Sequence, residues 1–293
     1  MKTIVVLTDF SAQSENAARF AMSLAQQVKA RILLCHAFAV PAEAVGAVQL
    51  SWPLEDYACL KEASLQNLNK LAHILKSEAE EHGFTAHEIP PIECFNQAGS
   101  VADVVNNVSL NERACMVILG VTHQHAFERF LWGNNGNNLI DCADVPLLFV
   151  PAAYAYKPIQ RIAFATDWKD TDLTTIHSLS QLAKNFDAAL LVTHITPPAP
   201  LDWETNDEEE RFLNQVTTKI NYDHIYYRQI TNEDVNDGLS WLSLYGRIEM
   251  LAMVHRQCSM AGRLIMGSHT KHMAEATAVP LMVFRDHARP VTF

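Results

Sequence analysis

The amino-acid sequence predicts an α/β protein built as one unit repeated in tandem, each unit a parallel sheet with helices on both faces. Three observations predict it. Short apolar runs alternate with helix-period segments along the chain, the rhythm of strands joined by crossover helices. The pattern restarts near residue 160, and features of the first half recur in the second in the same order. In the first half a buried strand ends at Gly120, and a second glycine, Gly133, stands in a small-residue turn before a helix. Open α/β sheets use that arrangement to turn backbone N–H groups toward phosphate.

In chain order, Ile4 to Leu7 reads as a buried strand that ends in Thr8-Asp9-Phe10-Ser11. Ala17, Ala21, Leu24, Ala25 and Val28 then share one face of a helix. Arg31 to Ala37 is a second strand. Pro53 to His82 is a long helix with Leu60, Leu68, Leu71 and Leu75 among its apolar positions. Thr85 to Phe95 is expected as the third strand, interrupted at Pro90-Pro91. Gly99-Ser100 opens a short helix carrying Val101, Val104 and Val105, and Met116 to Leu119 is the fourth strand. Beyond the loop from Val121 to Trp132 and the Gly133-Asn134 turn come a helix over Asn137 to Cys142 and a strand over Leu147 to Val150.

Residues 152–158 read as a linker, which sets the expected domains at 1–151 and 159–293. Arg161 to Ala165, ending in Thr166-Asp167-Trp168, answers the first strand and its Thr8-Asp9-Phe10. Ile176, Leu179, Ala183 and Phe186 mark the next helix, and Ala189 to Ile195 matches the strand holding His36. An acidic helix over Glu204 to Ile220, a strand over Ile225 to Ile230, a helix over Val235 to Leu244 and a strand over Glu249 to Val254 follow. Gly267-Ser268 answers Gly133-Asn134, and Pro280 to Phe284 answers Pro146 to Val150.

At 293 residues and 49% hydrophobic content the chain can bury a large core. A net charge of −11 with no basic cluster argues against nucleic-acid or anionic-membrane partners. A phosphorylated small molecule stays compatible, because helix N-termini and glycine loops bind phosphate without net positive charge. Asp9 breaks the short apolar start of the chain, and no stretch is long enough to span a bilayer. The scattered cysteines contain no CxxC and read as thiols of a reducing compartment, so a cytoplasmic location is expected. No nucleophile elbow, zinc-protease motif, phosphate-binding GxxxxGK[ST] or paired catalytic carboxylates occur, so no catalytic residue is assigned. His269 and His272 have helical spacing but no acidic or cysteine partner at ligand spacing, and read as surface polar residues rather than a metal site.

These features resemble the universal stress protein family in its tandem two-domain form, over nearly the whole chain. The strand-end Thr8-Asp9, the strand ending in His36, the Gly99 turn, the Gly120-to-Gly133 spacing and the closing Pro-Leu-Leu-x-Val strand carry the resemblance. It implies a doubly wound, open five-stranded parallel sheet per domain, with the site where strand order reverses. It also implies ATP or AMP as ligand, with Mg2+ accompanying ATP. By this resemblance Thr8 and Asp9 lie by the nucleoside, and Ala37 meets adenine through its backbone. Leu119, Gly120, Gly133, Asn134 and Asn135 surround sugar and phosphates. Asp167, Ile195, Gly267, Ser268 and Thr270 line a second site. In the family the closing strands pair across a dimer interface; here Leu147 to Val150 and Leu281 to Phe284 would pair within one chain as a pseudo-dimer. A further homodimer stays open.

The chain departs from the family's Gly-x2-Gly-x9-Gly-[Ser/Thr] phosphate motif. His123 replaces the middle glycine and Asn134 the hydroxyl residue, while Val254 and Gln257 stand at the first two glycine positions of the second half. His123 is expected to fill phosphate space, and the second site to be weak or empty. Asp9 offers acceptor oxygens to a ribose hydroxyl or adenine amine, or caps the helix that follows it. Gly120 allows close backbone approach or a positive-φ turn. The leading expectation is a stress-response regulator binding an adenine nucleotide. The alternative is an interaction module with decayed sites and an unidentified protein partner. A slow ATPase ranks third.

Overall fold

The computed structural model describes residues 1–38, 52–122, 139–198, 207–256, 267–287 and 290–293. The first half runs β1 (Lys2–Leu7), α1 (Ala12–Val28), β2 (Ala30–Phe38), α2 (Trp52–Glu81), β3 (Ile92–Ala98), α3 (Val101–Asn111), β4 (Ala114–Val121), α4 (Leu139–Cys142) and β5 (Leu147–Pro151). The second repeats that order. It runs β6 (Arg161–Ala165), α5 (Asp172–Lys184), β7 (Ala189–Thr196), α6 (Asp207–Lys219), β8 (Ile225–Thr231), α7 (Val235–Tyr245), β9 (Met250–His255), α8 (Gly267–Ala276) and β10 (Leu281–Arg285).

The ten strands among the described residues form one sheet in the order β3-β2-β1-β4-β5-β10-β9-β6-β7-β8. Within each half every pairing is parallel, and the halves join where β5 and β10 run antiparallel, with Phe149 opposite Leu281 and Leu147 opposite Val283. That seam pairs two strand edges that would otherwise leave backbone N–H and C=O groups open. The pseudo-dimer expected within one chain is therefore a single continuous sheet.

The central strands are mostly apolar because helices cover both faces; β4 is buried at every position. Successive residues point to opposite faces, so Ile4 and Val6 join α1, α2, α5 and α6 in one apolar layer. Val5 joins α3, α4, α7 and α8 in the other. Both layers cross the seam, through Leu148 and Met282 on one face and Phe149 and Leu281 on the other.

Two sequence expectations change. The third strand begins at Ile92 rather than Thr85, because Pro90 and Pro91 have no N–H to give a ladder. Residues 85–89 instead form a turn closed by the Glu88 carboxylate, which accepts from the Thr85 N–H at 2.8 Å. The segment read as a linker is fastened to both halves. Asn16 Nδ2 donates to the carbonyls of Pro151 (3.2 Å) and Tyr154 (3.0 Å), and the Tyr154 hydroxyl donates to the Glu249 carbonyl at 3.2 Å. Tyr156 packs edge-on to Phe20, with ring centres 5.4 Å apart.

Candidate functional site

Strand order reverses at the β1–β4 boundary of the first half and at the β6–β9 boundary of the second. Open parallel sheets have a crevice at the carboxyl ends of such strands, because the flanking connections leave toward opposite faces.

At the end of β1 the Thr8 N–H continues the ladder to the Cys35 carbonyl at 2.9 Å, and the buried Thr8 hydroxyl lies 3.0 Å from Ser14 Oγ. The same hydroxyl accepts the Phe10 N–H at 3.0 Å. That bond helps hold Phe10 at φ +63°, a left-handed backbone that costs a non-glycine residue about 1–2 kcal/mol. The Phe10 ring rests 4.6 Å from the His36 ring, and His36 Nδ1 is 2.7 Å from the Thr8 carbonyl. A carbonyl only accepts, so Nδ1 carries the proton.

The second half rebuilds this unit. Trp168 has φ +64° and donates its N–H to Thr166 Oγ1 at 3.1 Å. Its ring stacks on His194 at 4.6 Å, and His194 Nδ1 is 2.6 Å from the Thr166 carbonyl. Sequence reading singled out the Thr-Asp pairs but gave the histidines and the aromatic residues no role at the site. The available signal was the spacing of 28 residues from threonine to histidine, the same in both halves.

Asp9 is exposed and braces the start of α1 rather than capping it. Ser11 is the N-cap, and its N–H donates to Asp9 Oδ1 at 3.1 Å while its hydroxyl donates to the same oxygen. Partial burial pushes the Asp9 carboxyl up, but hydrogen bonds from Ser11 and Ser14 outweigh it and hold the group below the usual carboxylate range. Asp9 therefore stands ionised at neutral pH, with Oδ2 left out of this brace.

Gly120 has a neighbour that its sequence context did not show. A Cβ there would lie 2.1 Å from the Gln13 carbonyl oxygen and 2.9 Å from the Ser14 nitrogen, so the glycine lets the first turn of α1 sit on β4. Its φ is not positive; Gly99, at φ +143°, is the turn glycine that leads from β3 into α3. The Leu119 side chain is buried in the core beneath the site, and Ala37 sits half-buried near the end of β2. Gly133, Asn134, Asn135 and His123 lie outside the described residues.

In the second half Asp167, Ile195 and Thr270 come together on one cavity of about 190 Å³, joined by Thr166, His194, Met253, Arg256 and His269. Gly267 and Ser268 open α8 beside it. Arg256 was not foreseen. Its guanidinium reaches Asp167 at 2.9 Å, Asp286 at 3.8 Å and the fully buried Asp172, which also accepts the Thr166 hydroxyl at 2.6 Å. Asp172 stands where the first half has Ser14, and Arg256 follows β9 as Thr122 follows β4.

Burial pushes the Asp172 carboxyl up to about 6, although Arg256 and the Thr166 hydroxyl favour its ionised form. The folded state thus holds this proton more tightly than the unfolded chain does. Its contribution to stability is full below about pH 4 and is lost as pH rises to about 6, a decline of roughly 3 kcal/mol at most. Asp172→Asn should flatten that part of the profile in urea unfolding at pH 5, 6 and 7.5. Equal slopes in the two proteins would refute the assignment.

No helix among the described residues is long and apolar enough to cross a membrane. Two doubly wound halves with a crevice at each reversal of strand order define the class of protein. The chain belongs to the universal stress protein family, whose model matches residues 1–151. It is similar to a universal stress protein structure from Archaeoglobus fulgidus DSM 4304, at 13% identity and TM-score 0.64, over 97% of this chain and 96% of that one. A candidate universal stress protein from Pseudomonas aeruginosa UCBPP-PA14 is similar at 13% identity and TM-score 0.55, over 97% and 93% of the two chains. At such identities the likeness is one of fold. No curated protein sequence matches. The family and fold read from the Thr-Asp strand ends and the tandem pattern are borne out.

Proposed function

We propose that this chain is a regulatory member of its family that holds one adenine nucleotide, ATP with Mg2+ or AMP, at the first-half crevice. In this reading the second half takes no phosphate. The supporting observation is the contrast between the two reversals of strand order. In the second half Arg256 pairs with Asp167, whereas in the first no cation among the described residues pairs with Asp9. Asp9 is ionised, exposed and steadied by Ser11, so its free oxygen can accept from ribose hydroxyls or the adenine amine. Thr8 and His36 hold that strand end in place. Phosphate and Mg2+ would lie toward the loop after Val121, beyond the described residues.

Calorimetric titration of the nucleotide-stripped protein with MgATP and with AMP, beside Asp9→Ala, tests the reading. The expected result is about one site per chain, weakened at least tenfold or so in the variant, the usual range for losing a hydrogen bond to a charged group. Absence of heat with the folded protein at millimolar nucleotide would overturn it.

A second reading, an interaction module, is favoured by one surface. Trp241, Leu244 and Tyr245 are 40%, 60% and 67% exposed on α7, and the Arg228 guanidinium lies 5.5 Å from the Trp241 ring centre. Aromatic residues beside arginine are enriched at protein interfaces. This reading leads if nucleotide does not bind.

A further inference from the structure

The second-half cavity differs in chemistry from an anion site. We propose that it binds a small planar organic cation, a single ring bearing an amidinium, guanidinium or ammonium group, with Asp167 as the counter-ion. This inference is independent of the nucleotide reading, which concerns the other crevice.

Size comes first. The cavity holds about 190 Å³, below the roughly 300–1,000 Å³ of sites for drug-sized ligands, so it suits one ring system rather than a nucleotide. Ile195, Leu239 and Met253 give it an apolar wall for a flat ring. The helix behind that wall approaches closely because Gly238 of α7 has no side chain; a Cβ there would lie 2.8 Å from Ile195 Cγ2.

Charge decides the sign of the ligand. Arg256, the cation lining the cavity among the described residues, is engaged by Asp167, Asp172 and Asp286, so three carboxylates surround its guanidinium. An entering phosphate would have to draw Arg256 away from Asp172, whose side chain is 0% exposed, and would strand a buried carboxylate. A cation instead relieves the excess of negative charge. Asp167 is the carboxylate that both lines the cavity and retains exposure, at 31% of its side chain.

Hydrogen-bonding capacity points the same way. His194 Nδ1 donates to the Thr166 carbonyl at 2.6 Å, and His269 Nδ1 lies 2.7 Å from Asn236 Oδ1. With Nδ1–H committed to these acceptors, each neutral imidazole is left with Nε2 as an acceptor. Asp167 and the two rings form an acceptor set suited to a cation with several N–H groups.

The test uses the full chain with labelled isoleucine and methionine methyl groups, titrated at pH 7.5 with benzamidine, benzamide and benzoate. These probes share one outline and differ in charge. Benzamidine should shift the Ile195 and Met253 methyl signals saturably, with an affinity about tenfold or more above that of benzoate, as expected for a charge-assisted contact. Asp167→Asn should remove most of that preference while leaving distant methyl signals unchanged. Three outcomes would overturn the proposal: benzoate binding as well as benzamidine, no saturable shift with any probe, or unchanged selectivity in Asp167→Asn. The charge series on the wild-type chain decides the matter even if the variant fails to fold.

Discussion

Gly120→Ala should destabilise the protein by about 3 kcal/mol or more, although it adds one methyl group and changes no charge. The new Cβ would lie 2.1 Å from the Gln13 carbonyl oxygen and 2.4 Å from its carbon, and both atoms are backbone. No rotamer change can relieve such a clash; the first turn of α1 has to move. That turn carries the Ser11 cap and Ser14, so the Thr8 hydroxyl bond and the Asp9 brace move with it. The second half shows how a side chain is accommodated at the matching place, Val254. There α5 starts two residues later relative to Thr166 than α1 does relative to Thr8. Urea unfolding checks the prediction, and a midpoint within error of wild type would refute it.

Phe149→Ala should cost about 3–5 kcal/mol, the usual range for emptying a buried aromatic site. Phe149 is 0% exposed on β5, opposite Leu281 across the antiparallel seam. It lies in an apolar layer built from both halves, so the loss should not stay in the first. In a background carrying Trp52→Phe and Trp132→Phe the remaining tryptophans all belong to the second half, so tryptophan fluorescence reports there while far-UV circular dichroism reports the whole chain. Both midpoints should fall together. A fluorescence midpoint that stays at its wild-type value while the dichroism midpoint drops would show that the seam does not couple the halves.

Element order, the tandem pattern and the family were legible in the sequence, because they rest on local periodicity and on strand-end residues. Met116 to Leu119 reads as a buried strand since every position is apolar, and Thr8-Asp9 and Thr166-Asp167 mark two equivalent strand ends whatever surrounds them. Even the pairing of the closing strands followed from the resemblance. The proline pair misled the reading of the third strand: alternation alone does not say which end of an interrupted run keeps the ladder.

What only the tertiary structure decided is which distant groups meet. At Gly120 sequence shows the missing side chain but not the Gln13 carbonyl against which that position packs. Nothing in the sequence singled out Arg256; folding brings it to Asp172, 84 residues earlier in the chain. That ion pair turns a repeated hydroxyl site into a charged one, so two crevices with the same Thr-Asp signature differ in chemistry. Periodicity records whether a residue is buried. Its partner is set by the crossing of strands and helices far apart in sequence, and at a binding site the partner determines charge, volume and hydrogen-bonding capacity.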